Sequence, residues 1–221
     1  MKTITRKKTT VVSAGTKNGP IRSRLVLNLA SAAAVLLFVA GCGGGSNQDD
    51  DAEDVASCPA VIETLAYDES VDGDLSTDRE NPTVRALAAG ANSVALMTGG
   101  EGDRQDYLTV QLEPCMTLDS VFVQSYEGSG GDEIGALILQ RGNTLTVDPT
   151  QAFNSIDQLL GFTLFGTANV GLDVLAMAGE GQGAEGFTTP LPADNYTFWL
   201  NQTGPQATYE LIFNVSLVDT Q

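Results

Sequence analysis

The chain has 221 residues, with 28 acidic side chains against 11 basic ones and no histidine. Every acid lies after residue 41, and only Arg79, Arg85, Arg104 and Arg141 oppose them there, so the segment from residue 42 onward carries a net charge of −24 and no lysine. Such a surface repels nucleic acid and anionic headgroups, and the missing imidazole removes the usual general base, the usual zinc ligand and the Ser-His-Asp and Cys-His constellations.

Residues 1–41 read as an export signal. A basic segment (Lys2, Arg6, Lys7, Lys8, Lys17, Arg22, Arg24) precedes a mostly apolar run from Leu25 to Ala40, the order a secretion signal takes. The run falls short of the ~20 residues that cross a bilayer and contains Asn28. Its end, Val39-Ala40-Gly41-Cys42, resembles the lipobox of bacterial lipoproteins. That resemblance implies cleavage before Cys42 and lipid on its thiol. The competing reading is an uncleaved anchor with an incidental cysteine. Residues 42–57 (CGGGSNQDDDAEDVAS) then read as a lipidated, flexible, acidic tether, because Gly and Ser loosen a chain and like charges extend it. Gly43 and Gly44 lack the aspartate that retains enterobacterial lipoproteins in the inner membrane, which favours the outer membrane of a bacterial envelope. With Cys42 carrying lipid, Cys58 and Cys115 remain, and an even remainder in an oxidising compartment reads as one disulfide. It closes a loop of about 57 residues, worth about 4 kcal/mol on the chain-entropy model. Two separate buried thiols are the alternative.

Residues 58–221 read as one all-β domain. In Asp106–Glu113, Leu108, Val110 and Leu112 share one face; in Thr208–Val218, Tyr209, Leu211, Phe213, Val215 and Leu217 alternate with mostly polar residues. This is the period of a half-buried strand. Further strands are expected at Asn92–Met97, Ser120–Tyr126, Ala136–Gln140, Leu172–Met177 and Tyr196–Asn201. A short helix is expected over Thr150–Leu160, after Asp148 and Pro149. Glycine-rich turns separate short strands, which argues for an antiparallel sandwich.

Asp106-Tyr107 opening a strand, Leu191-Pro192 leading into Tyr196, and Tyr209 heading the final strand are similar to the bacterial pre-peptidase C-terminal domain. The resemblance covers roughly residues 82–218, and residues 142–185 exceed the family's loop, so they stand as an insertion. It implies a jelly-roll-like β-sandwich and a non-catalytic role, and some members of that family bind calcium, collagen or polysaccharide.

Two sets of residues are candidates for a site. Asp72, Asp74 and Asp78 on one loop and Glu101, Asp103 and Asp106 on another offer oxygens to calcium, which takes six to eight of them from flexible loops. Asp72, Asp74 and Ser76 begin like an EF-hand, but Thr77 and Thr83 stand where its glycine and glutamate belong, so that motif is excluded. Solvated acidic loops are the alternative. Trp199, the only tryptophan, faces away from Tyr196, Phe198 and Leu200 and sits beside Thr197 and Asn201. An outward aromatic among hydroxyls and amides suits a sugar-stacking platform; packing beneath residues 152–177 is the alternative. No pair of carboxylates is spaced to single itself out as acid and base. The expected function is a non-enzymatic, lipid-anchored envelope module with a binding or structural role, a polysaccharide or an envelope protein being the candidate partners; a calcium-dependent adhesion or polysaccharide-binding module comes second and a carboxylate hydrolase third.

Overall fold

Alternating burial along the longer strands produces two sheets that share one core. The computed structural model describes residues 63–100, 102–128, 130, 134–202 and 204–218, with backbone alone at Ala152 and Phe153. These belong to a single unit, Ala52–Gln221. Cys42, Cys58 and Glu101 lie outside the described residues, as do the signal and tether.

The strands are β1 (Ala66–Asp68), β2 (Thr83–Ala86), β3 (Gly90–Thr98), β4 (Gln105–Gln111), β5 (Met116–Gly128), β6 (Gly135–Arg141), β7 (Gly161–Phe165), β8 (Asn195–Gln202) and β9 (Ala207–Leu217). One sheet has the order β1-β3-β9-β5 and the other β2-β4-β8-β6-β7. β9 shows why a sandwich forms. Ala207, Tyr209, Leu211, Phe213 and Val215 are buried, and the residues between them are more open. Each large apolar side chain taken from water contributes roughly 1.5–3 kcal/mol. Facing residues from both sheets interlock: Phe198 meets Phe213 edge-on at 5.3 Å, and Tyr209 packs against Phe165 at 5.2 Å.

The expectation of a purely antiparallel sandwich is corrected. β1 runs parallel to β3 and β2 parallel to β4, while the other pairs are antiparallel. Parallel neighbours need a crossover rather than a hairpin. The chain supplies one by alternating between sheets, so each of β1 and β2 is rejoined only after a strand in the opposite sheet. Both are short edge strands with weak patterning. The strand expected at Leu172–Met177 is also corrected, because Val174–Gly179 is a helix, α2. Asp173 caps it, its Oδ1 accepting from the amides of Leu175 and Ala176 and also from Val121 of β5. Val174, Leu175 and Ala178 are the side that this helix buries.

The first part of segment 142–185, through Leu145, Val147 and Leu159, covers the outer face of the second sheet, whereas Val174, Leu175 and Ala178 further along join the main core beside β5. The segment contains two short tight helical turns, Pro149–Asn154 and Ile156–Gln158, then β7, a third such turn, Thr167–Asn169, and α2. Asp148 initiates the first turn by accepting from the amide and hydroxyl of Thr150, both at 2.8 Å. Leu145, Val147 and Leu159 from this segment pack with Tyr107, Ile138 and Trp199 into a second, smaller core. Both faces of that sheet are therefore covered, the inner by the other sheet and the outer by this segment. Among the described residues no helix is long and apolar enough to cross a membrane.

Candidate metal centre

Asp106 is the second residue of β4 and has the same parity as Leu108 and Val110, so its carboxylate points to the inner face of the sheet. It is 0% exposed. Both of its carboxylate oxygens are buried without a hydrogen-bond partner among the described residues. Asn92, equally buried, shows the ordinary solution. Its Oδ1 accepts from Leu65 and Ala88, and its Nδ2 donates to the carbonyls of Ala88, Gly90 and Phe213. Burying an unpaired polar group costs about 1–3 kcal/mol, and a charged one more, so Asp106 requires a counterpart of a different kind.

Its neighbours show what kind. A carboxylate oxygen from each of Glu69, Asp74 and Asp106 lies within 4.8 Å of the other two. Glu69 begins a single helical turn, α1 (Glu69–Asp72), which Asp68 caps by accepting from the amide and hydroxyl of Ser70. Two amides fix the Glu69 carboxylate: Leu75 donates to Oε1 at 3.1 Å and Met97 to Oε2 at 2.7 Å. Asp74 is exposed at the mouth. Asp103 stands close enough to act on the charges of Asp106 and Glu69, and one of its oxygens is also buried and unpartnered. The connection from β3 in one sheet to β4 in the other places it. Gly99, at φ 107°, lies so close to the β8–β9 connection that an added Cβ would sit 2.8 Å from the Pro205 carbonyl oxygen.

Three carboxylates converge, Asp103 adds its charge from nearby, and no described arginine balances them. Arg79 pairs with Glu80 and Arg141 with Asp194. Arg85 lies over the Tyr67 ring, and Arg104 donates to the Gly100 carbonyl. Burial, ahead of the charges of Glu69, Asp103 and Asp74, pushes the Asp106 carboxyl up to about 9. Burial also pushes Glu69 up to about 7, against the two amide hydrogen bonds that favour its ionised form, with Asp74 and Asp103 adding repulsion. Asp103 is raised by burial and by Asp74. A proton on Asp106 removes its charge but leaves both oxygens unpartnered, because a neutral carboxyl still has hydrogen bonds to make. A divalent cation satisfies charge and lone pairs together. Calcium binds oxygen at about 2.3–2.6 Å, so two ligands on opposite sides of one ion stand up to about 5 Å apart, and the spread of this cluster fits. The all-oxygen set, without nitrogen or sulfur, is not one that zinc prefers.

Of the six acids singled out in the sequence, the fold brings Asp74, Asp103 and Asp106 together. It takes Asp72 and Asp78 away. Asp72 accepts from the Asp68 amide. Asp78 accepts from the Glu80 amide and the Asn81 side chain, bonds that hold its carboxyl below the usual range. Both serve their own turns, as solvated loop acids do. Glu69 is the member of the cluster that sequence reasoning missed. Nothing local marks it, since its role depends on α1 folding back beside β3 and β4. Asp106 carried a readable signal: an acid in phase with Leu108, Val110 and Leu112.

The expected sugar platform does not form as an open surface. Trp199 is 4% exposed and stacks on Tyr107 at 6.2 Å beneath segment 142–185. Thr197 is buried as well, donating to the Gly142 carbonyl at 2.8 Å and lying 2.8 Å from the Thr109 hydroxyl. Asn201 alone of the three is partly open. Cys115 takes a positive φ in the turn between β4 and β5 and is partnered. No family model, curated protein or solved structure matches the chain.

Proposed function

We propose that this chain is a non-catalytic, lipid-anchored protein of the bacterial envelope whose β-sandwich is a calcium-bound binding or structural module. The observation that carries the reading is Asp106, fully buried with two unpartnered oxygens beside Glu69 and Asp74. Asp106 and Glu69 hold the ion from below, and Asp74 and Asp103 close over it. The ion ties α1 to the connection between β3 and β4, and so links the two sheets at that point. Lipid on Cys42 holds the chain at the outer membrane, a Cys58–Cys115 disulfide staples the tether's end to the sandwich, and the two sheets follow a jelly-roll-like path. The carboxylates are too closely gathered around one point to act as a separated acid and base, which favours binding over hydrolysis.

Thermal unfolding of Ala52–Gln221, the unit that contains every described strand, tests the metal. A ligand of the native state at 100 times its Kd adds about 2.7 kcal/mol, which for a unit of this size raises Tm by roughly 5–10 °C. The rise is expected with calcium and not with magnesium at equal ionic strength. An identical Tm in calcium and in chelator would refute the calcium reading. Cys42→Ser in the full chain tests the anchor separately: the variant should leave the membrane fraction, and retention there rules lipidation out.

A further inference from the structure

A second unpartnered group lies on the opposite face of the same sheet. Between the strands and segment 142–185 runs a cleft of about 450 Å³, within the range of about 300–1,000 Å³ that small-molecule sites occupy. Ile138, Ile156, Leu159, Phe162 and Leu164 make its walls largely carbon, and no charged side chain lines it. Leu164 is 58% exposed there, so apolar surface faces water. Trp199 is part of the wall. Its indole Nε1, though buried, donates to nothing among the described residues. An indole N–H can only donate, and a buried one usually finds an acceptor. Gln105 and Asn201 add amide groups to the lining. The Gln105 Oε1 already accepts from the Tyr107 hydroxyl at 2.7 Å.

We propose that this cleft binds a neutral small molecule with an apolar body and one hydrogen-bond-accepting carbonyl, of the ester or ketone class, which receives the Trp199 N–H. The walls take up the apolar body, and the single orphan donor sets the polar requirement. Neutrality follows from charge. No cation stands in the lining to meet a carboxylate, and the domain around it is strongly acidic, so a fatty-acid anion is disfavoured. The inference is independent of the calcium site, which lies on the other face of the sheet.

The lone tryptophan supplies the readout. Prodan, a neutral naphthalene ketone, is titrated into Ala52–Gln221 with excitation at Trp199 and, separately, at the probe. Saturable one-to-one binding with sensitised probe emission is expected, and methyl laurate should displace the probe where laurate does not. Trp199→Phe keeps an aromatic ring at the wall but removes the donor. Read by direct probe emission, it should weaken binding about fivefold, equivalent to about 1 kcal/mol for one neutral hydrogen bond. Ala136→Leu, which fills the cleft from β6, should weaken binding about tenfold by overpacking. If that variant loses its cooperative melt, Leu164→Gln at the exposed wall replaces it, with a weakening of about threefold. Absence of saturation, or a Kd unchanged in both Trp199→Phe and the cleft variant, overturns the site. Displacement by laurate as readily as by its methyl ester overturns the neutral class.

Discussion

Asp106 and Trp199 lie on neighbouring strands, in register one residue apart, since Tyr107 pairs with Trp199 and Asp106 with Leu200. Yet they end in opposite environments. Asp106 points between the sheets into a ring of carboxylates, and Trp199 points outward under an apolar cover. Each holds polar atoms without a partner. On the proposed reading the charged orphan takes a cation, because its neighbours repel it and no described arginine compensates. The neutral orphan dictates only an acceptor on an otherwise apolar molecule. One sheet thus presents two kinds of vacancy in bonding capacity, and the period-two geometry of strands keeps them apart.

The largest effect should come from removing the charge at the buried end. Asp106→Asn should abolish the calcium-induced rise in Tm while making the metal-free protein more stable than the parent at about pH 8, because a buried, repelled carboxylate is gone. A lower metal-free Tm with calcium response intact would mean that Asp106 is not a ligand. The pH profile sharpens the same point. Burial raises Asp106 to about 9 and Glu69 to about 7, so the folded metal-free state keeps protons that the unfolded chain has released. Stability is then fully present below about pH 4 and is lost as pH rises through those two values. Metal-free Tm should fall between about pH 5 and pH 8, and saturating calcium should remove most of that fall, since the ion favours the ionised forms. A metal-free profile that rises with pH contradicts the cluster.

Gly99→Ala should act through the backbone. A left-handed φ and a near-contact with Pro205 make about 2 kcal/mol of destabilisation reasonable, a Tm loss of roughly 4–8 °C. Calcium titration should also show weaker binding, because the connection from β3 to β4 carries Asp103. The smallest effect belongs to the acids that serve their own turns. Asp78→Asn should change stability by no more than about 0.5 kcal/mol, as surface substitutions do, and leave the calcium response intact. A lost response there would move the ion to the loop the sequence suggested. Measuring Tm for these variants in calcium and in chelator separates the outcomes.

Much of this was legible before folding. Strands β3, β4, β5, β6, β8 and β9 announce themselves by alternation and by the glycine-rich turns between them. The facing of Tyr196, Phe198 and Leu200 inward and Trp199 outward follows from the same parity. β1, β2 and β7 were not legible, because three to five residues hold too few repeats to establish a period. α2 was misread because Leu172, Val174 and Ala176 alternate over a stretch too short to distinguish strand from helix, and Asp173 reveals itself as a cap only once Leu175 and Ala176 donate to it.

The composition alone determined the charge and the lack of imidazole chemistry, since these depend on residue types. The pattern of apolar residues alone determined an all-β domain. Only the tertiary structure decided which acids meet. Glu69 is 37 residues from Asp106 in the chain, and a shared ion site depends on distances across space that local sequence does not encode. Only the tertiary structure decided that Trp199 is covered as well, because the outward face of a strand is a matter of parity, whereas what lies over that face is a matter of where segment 142–185 comes to rest.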